Sequence, residues 1–236
     1  PFDAFAIDPL DLPFGHARAP CPQCQRSSSL YCPVDMVALP QHVPAMPRVD
    51  LPIPLDVYRH PRELPGKSTA LQAQLLAPGH VRTFVEDVVI NPGYEQVVAN
   101  ALDRYADPSR VLLLYPCEGA RSLSELPRQS YDRLIVLDGT WRQGKSMARA
   151  FMESGRGFVP VRINQHDTLF WRFQAHGTDH LSTIEAIYWF YREYAEVCEP
   201  HRPTNRYDNL LFFFARQWRQ IQSYYRDRPQ LRFTHR

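Results

Sequence analysis

The sequence predicts an α/β fold: a mostly parallel sheet flanked by helices, preceded by a small N-terminal metal knuckle. Three observations predict it. After residue 66, short apolar runs alternate with helix-period segments, the pattern of strands buried on both faces and joined by helical crossovers. Thirteen of the 22 prolines fall in residues 1–65. Proline fixes φ and removes a donor, so that stretch reads as extended and poor in regular structure. Three of the five cysteines lie between Cys21 and Cys32, and no secretory pattern opens the chain, which favours a metal over disulfides.

The elements follow in order. Gly66–Leu76 reads as the opening of a helix. Glu86–Ile90 is a short apolar run closed by Asn91-Pro92-Gly93, a turn signal. Tyr94–Tyr105 sets Val97, Val98, Ala101, Leu102 and Tyr105 on one helical face. Val111–Tyr115 and Leu134–Leu137 are strands buried on both faces, and Phe158–Ile163 is a further strand. Ser182–Val197 is a helix with Ser182 as N-cap and Glu185 three residues on, a capping box. Asn209–Tyr225 is a last, aromatic-rich helix. The domain division is a proline-rich segment with the cysteine knuckle at 1–50 and a catalytic domain at 51–236, joined by a stiff linker over Val43–Pro54.

Composition narrows the function. With 44% hydrophobic and 22% charged residues the chain is globular rather than disordered. Its longest apolar runs, Val111–Tyr115 and Leu210–Ala215, are too short to span a membrane. A net charge of +2 means that any nucleic-acid contact must come from local patches.

Cys21-Pro-Gln-Cys24 is followed by Cys32 and Asp35, four side chains that suit a tetrahedral zinc ion. Gly66-Lys67-Ser68 ends like a phosphate loop, but Pro61 stands where the motif needs glycine, so a nucleoside-triphosphate site is rejected. Lys67 remains a cation at a helix start. The strand Leu134–Leu137 ends in Asp138-Gly139-Thr140-Trp141. Ligands of open α/β sheets bind beyond the carboxyl ends of strands, so Asp138 stands where a catalytic carboxylate is useful and Trp141 offers a flat wall. By itself, a strand-end Asp is as often a helix cap. Tyr115-Pro116-Cys117-Glu118 ends the other buried strand, and Ser182–Ala186 opens a helix, so three segments converge on one pocket. Cys117 reads as an apolar filler there. Arg142, Lys145 and Arg149 follow the tryptophan as a basic patch, and Arg216, Arg219 and Arg226 interleave with aromatics near the end. His166, His176 and His180 read as surface or hydrogen-bonded groups.

These residues together resemble the DTW-domain family of tRNA-uridine aminocarboxypropyltransferases. Asp138-Gly139-Thr140-Trp141 matches the name motif, and Cys21, Cys24 and Cys32 match the cysteine-rich start. Lys67-Ser68-Thr69, Tyr115–Glu118 and Ser182–Ala186 match further segments. Phe170-Trp171-Arg172 and Tyr207–Phe213 look most like the eukaryotic branch. The fourth cysteine of the family is Asp35 here.

The resemblance implies a SPOUT-like α/β fold, knotted or unknotted. It implies transfer of the 3-amino-3-carboxypropyl group of S-adenosylmethionine to N3 of a tRNA uridine, with 5′-methylthioadenosine leaving. On that reading Asp138 is the general base and Trp141 its catalytic neighbour. Tyr115, Pro116, Cys117, Glu118, Leu137, Gly139, Thr140, Ser182, Thr183 and Glu185 hold the donor. Lys67, Arg142, Lys145 and Arg149 contact tRNA, and Cys21, Cys24, Cys32 and Asp35 hold structural zinc. A SPOUT-type methyltransferase and a non-catalytic zinc-containing RNA-binding module are the competing readings. No membrane partner is expected, and the compartment stands open between nucleus and cytoplasm.

Overall fold

In the computed structural model, residues 1–9, 17–85, 102–127, 131–171 and 180–226 are described. Two small hairpins come first. β1 (Ala19–Pro20) pairs with β2 (Ser27–Ser28), and β3 (Tyr31–Cys32) pairs with β4 (Val37–Ala38), both antiparallel. A 3-10 helix over Pro40–Ala45 then leads into the sheet.

Five parallel strands form that sheet: β5 (Leu55–Arg59), β6 (Val81–Val85), β7 (Val111–Leu114), β8 (Arg133–Asp138) and β9 (Val159–Val161). Their order is β6-β5-β8-β7-β9. Alternate residues serve two cores, because successive strand side chains point to opposite faces. Leu55, Val57, Leu112, Leu114, Leu134 and Val136 join one cluster. Tyr58, Val111, Leu113 and Ile135 join the other.

Helices cover both faces. α1 (Leu71–Leu76), α3 (Thr183–Cys198) and α4 (Phe212–Arg226) pack on the first cluster, while Ala150 and Phe151 of α2 (Trp141–Glu153) pack on the second. A 3-10 segment, Thr204–Leu211, leads into α4. Its buried Asp208 accepts from the Tyr188 hydroxyl at 2.9 Å and from the Ala6 amide at 2.7 Å, fastening the N-terminal strap to the helical layer.

Several expectations shift in detail. The first helix begins at Leu71 rather than Gly66, the intervening residues forming turns. The Val43–Pro54 stretch is not a free linker. Met46, Val49, Leu51 and Ile53 are buried in the first core. Its prolines make it extended without detaching it, and every second side chain still reaches apolar neighbours. Glu86–Ile90 and all but the end of Tyr94–Tyr105 lie outside the described residues. Strands β5 and β6 were not anticipated.

The order of strands marks a candidate functional edge. From β5 the chain passes through α1 to β6 on one side. From β8 it passes through α2 to β9 on the other. The connections part between β5 and β8, and such switch points leave a crevice at the carboxyl ends of the strands. Arg59 ends β5 and Asp138 ends β8, and the two are in register.

Candidate functional site

Asp138 is 2% exposed, and each carboxylate oxygen accepts a hydroxyl from a different segment. Ser68 Oγ donates to Oδ2 at 2.7 Å, and Thr183 Oγ1 donates to Oδ1 at 2.8 Å. Ser68 precedes α1, and Thr183 is the first residue of α3. Thr69 continues the link, its Oγ1 accepting the Ile184 amide at 3.2 Å. The Asp138 carbonyl accepts the His60 amide at 2.9 Å. One carboxylate therefore clamps the Lys67-Ser68-Thr69 loop, the end of β8 and the start of α3. Burial pushes its pKa above the ordinary carboxylate range, against the opposing pull of the Ser68 and Thr183 hydroxyls and the positive charge of Arg59.

The turn after Asp138 is tight. A Cβ on Gly139 would meet Gln143 Oε1 at 2.8 Å and His60 Cβ at 3.2 Å, so a side chain there would have to displace the Gln143 amide and crowd His60. Thr140 caps α2 and Gln143 returns the bond to its amide at 2.7 Å, a capping box. Trp141 is left 42% exposed, its ring edge-on to His180 at 4.6 Å. Leu137 is half-buried on the opposite face of β8 from Asp138.

Other expected residues fall around this centre. Tyr115 leads out of β7, and its ring lies against Gly144 of α2. Burial raises the Cys117 thiol above its ordinary value, which keeps it a neutral side chain. Pro116 and Glu118 are exposed. Ser182 and Glu185 form the capping box of α3, and Glu185 also accepts from Thr168 and from the Leu169 amide. Glu185 therefore ties the 168–169 segment to the helix start. Arg142, Lys145 and Arg149 share an exposed stripe of α2, with Arg149 paired to Glu153. His166 stacks on Trp189 at 3.7 Å and bonds Glu193, a structural role. His176 lies outside the described residues.

Sequence reasoning missed Arg59. It is 6% exposed, and its Nε and Nη1 are buried with no hydrogen-bond partner. By strand alternation it shares the face of Asp138. A buried guanidinium with two unanswered donors is costly unless an anion completes it. That orphan fits a ligand with a carboxylate.

The knuckle has its own geometry. Cys21, Cys24, Cys32 and Asp35 place their ligand atoms within 4.8 Å of one another. Cys24 and Cys32 sulfurs lie 3.6 Å apart, and Asp35 Oδ2 lies 3.0 Å from Cys21 Sγ and 3.3 Å from Cys32 Sγ. Sulfurs each about 2.3 Å from a tetrahedral zinc stand about 3.8 Å apart, so the four side chains fit one ion. The two turns repeat each other, Cys-Pro-Gln-Cys-Gln25 and Cys-Pro-Val-Asp-Met36, each closed by a residue of positive φ (61° and 54°). Asp35 occupies in the second turn the place Cys24 holds in the first. Asp35 drives the neighbouring Cys24 thiol up to about 12, a crowding that a divalent cation reverses.

A profile of the DTW domain matches residues 18–222. The tRNA-uridine aminocarboxypropyltransferase 1 of Mus musculus is 32% identical over 242 residues, covering 87% of this chain and 78% of its own length. That of Xenopus laevis is 32% identical, covering 90% and 83%, and that of Homo sapiens 28% identical, covering 87% and 78%. No solved structure matches significantly.

Proposed function

Because the chain belongs to the DTW-domain family, we propose that it transfers the 3-amino-3-carboxypropyl group of S-adenosylmethionine to N3 of a tRNA uridine. On this reading the sheet is a SPOUT-like one, and the knuckle holds zinc. The observation that carries the reading is the Asp138 clamp at the switch point, where three of the family-like segments, Lys67–Thr69, Asp138–Trp141 and Ser182–Ala186, meet.

When bound, the sulfonium donor supplies an electrophilic carbon and departs as 5′-methylthioadenosine. The residues of this chain do the rest. Arg59 offers its two unpartnered donors to the donor's carboxylate. Tyr115–Glu118 and Gly139–Trp141 lie on the β7 and β8 ends, where they flank the adenosine and methionine ends. Ser182 and Thr183 close the side formed by α3.

The N3 proton must leave as the new N3–C bond forms. Asp138 is too buried to reach a base directly, so Ser68 Oγ takes the N3 proton while passing its own to Asp138 Oδ2, 2.7 Å away. A carboxyl group raised by burial is the better proton acceptor for this task. Arg59 and Thr183 keep the carboxylate charged before the transfer. Catalysis is otherwise positioning. The α2 stripe of Arg142, Lys145 and Arg149 serves as an outer tRNA contact.

The test is nucleoside mass spectrometry of tRNA after incubation with the protein and S-adenosylmethionine, with the by-product measured in parallel. Aminocarboxypropyluridine with methylthioadenosine is expected. S-adenosylhomocysteine in its place would identify methyl transfer and overturn the assignment.

A further inference from the structure

Beside the Lys67-Ser68-Thr69 loop lies a cavity of about 390 Å³, between the knuckle, that loop and α4. This volume is at the lower end of small-ligand pockets, about 300–1,000 Å³. Four of its described lining residues are cations: Arg18 and Arg26 from the knuckle, Lys67 from the loop and Arg216 from α4. No Asp or Glu is among the described lining residues. Asp35, also on the knuckle, is turned into the sulfur cluster.

Two of the cations are fixed in place. Arg18 is held by Ser27, its Nε donating to Oγ at 3.1 Å and its Nη2 to the carbonyl. Arg216 is only 8% exposed, and burial pulls its pKa down, so this site has built a desolvated positive charge into its wall. Tyr31 and Trp171 supply an apolar side. Arginines for phosphate and aromatic faces for an unstacked base are the means by which proteins take single-stranded RNA.

Charge separates this cavity from the donor site. S-adenosylmethionine carries a sulfonium, an ammonium and one carboxylate, so it is a net cation, and a wall with four cations and no acid among its described lining residues disfavours it. A phosphodiester is an anion. Ser68 joins the two sides: it lines the cavity, and its Oγ bonds Asp138. A base seated there is one hydroxyl from the carboxylate.

We infer that this cavity seats the target nucleotide of the RNA, its flanking phosphates on Arg18, Arg26 and Arg216 and its base turned toward Ser68. The inference rests on the proposed function and names the acceptor site within it. The knuckle thereby acquires a task beyond holding itself together, since it carries two of the phosphate ligands to the rim of the sheet.

The experiment is titration of an unmodified tRNA transcript onto the full chain over a range of salt concentrations. The variants are Arg18→Glu with Arg26→Glu, and Lys67→Glu alone. All three residues are exposed, so the fold should survive, and bound metal per chain checks the knuckle. The double variant should lose at least tenfold in tRNA affinity. Each lost phosphate contact should flatten the log–log salt slope by roughly 0.7–0.9. Affinity for S-adenosylmethionine should stay within twofold. Loss of donor affinity with tRNA binding intact would make this the donor site and overturn the inference. Unchanged tRNA affinity in both variants would overturn it alone. Wild-type protein that binds no tRNA at any salt would overturn it together with the proposed function.

Discussion

Replacing Asp138 tests the clamp and the chemistry separately. Its two hydroxyl bonds, at 2.7 and 2.8 Å, are charge-assisted in a site 2% exposed. Each is worth about 1.5–3 kcal/mol. Asp138→Ala removes both, strands the Ser68 and Thr183 hydroxyls and takes away the charge opposite Arg59. The expected cost is about 3–5 kcal/mol. At roughly 2–4 °C per kcal/mol for a chain of this size, Tm falls by about 6–20 °C. Asp138→Asn is isosteric, and the hydroxyls can turn to accept from its amide. It loses only the charge-assisted part, about 1–2 kcal/mol, but it can no longer accept a proton. Transfer should then drop by about 10²–10⁴-fold. Differential scanning fluorimetry and single-turnover formation of the modified nucleoside read the two effects independently. An Asn variant that transfers at wild-type rate would refute the proton path. An Ala variant with unchanged Tm would refute the clamp.

Ser68→Ala should raise the Asp138 pKa further, since one hydrogen bond that lowers it disappears. Because the same hydroxyl relays the N3 proton, transfer should also fall by about 10²–10⁴-fold, with the acid limb of what remains moved to higher pH; transfer at the wild-type rate argues against the relay. Stability carries the same sign: a carboxyl raised in the folded state stabilises it fully below its unfolded value, about pH 3.9, and that contribution is lost as pH rises through the raised value. The wild-type denaturant midpoint should therefore fall with rising pH toward that of Asp138→Asn, which has no carboxyl to titrate there. Arg59→Met should weaken S-adenosylmethionine binding at least tenfold while sparing methylthioadenosine, which lacks the carboxylate; equal losses in calorimetry would reject the assignment. Asp35→Ala should lower the zinc content measured by elemental analysis, and Asp35→Cys should restore it. Asp56→Ala should cost about 3–5 kcal/mol, because the buried carboxylate holds Arg82, Arg133 and Tyr105 at 2.8–2.9 Å; unchanged thermal stability would contradict this network.

How much was legible depended on where each signal resides. β7 and β8 were readable because their runs are apolar on both faces. β5 was not, since Leu-Asp-Val-Tyr-Arg carries polar groups whose burial is balanced by partners far along the chain. Asp56 is answered by Arg82 and Arg133, and Tyr58 by Tyr105. The proline-rich stretch misled for a related reason: proline predicts extension, but extension also suits a strap whose Val49, Leu51 and Ile53 are buried. The cysteine–aspartate cluster was legible from spacing, and the repeated Cys-Pro turns give Asp35 its place without any structure.

The chemistry of the site was legible only as segments. That Asp138 would accept from Ser68 and Thr183, 70 and 45 residues away, is a property of the strand order, not of any motif. Arg59 left no mark at all, because its signal is the absence of a partner. These two facts bear on each other. Asp138 and Arg59 are opposite charges in register on neighbouring strands, yet the carboxylate takes its hydrogen bonds from hydroxyls and leaves Nε and Nη1 of the guanidinium unanswered. A structural ion pair would have closed directly, since pairing relieves the desolvation of both groups. Keeping them apart costs stability and leaves one cation to receive an anion and one carboxylate to receive a proton. That division of labour suits an anion site beside a proton acceptor better than a stabilising ion pair, and it is the physical reason for the proposal that places the reaction at this end of the sheet.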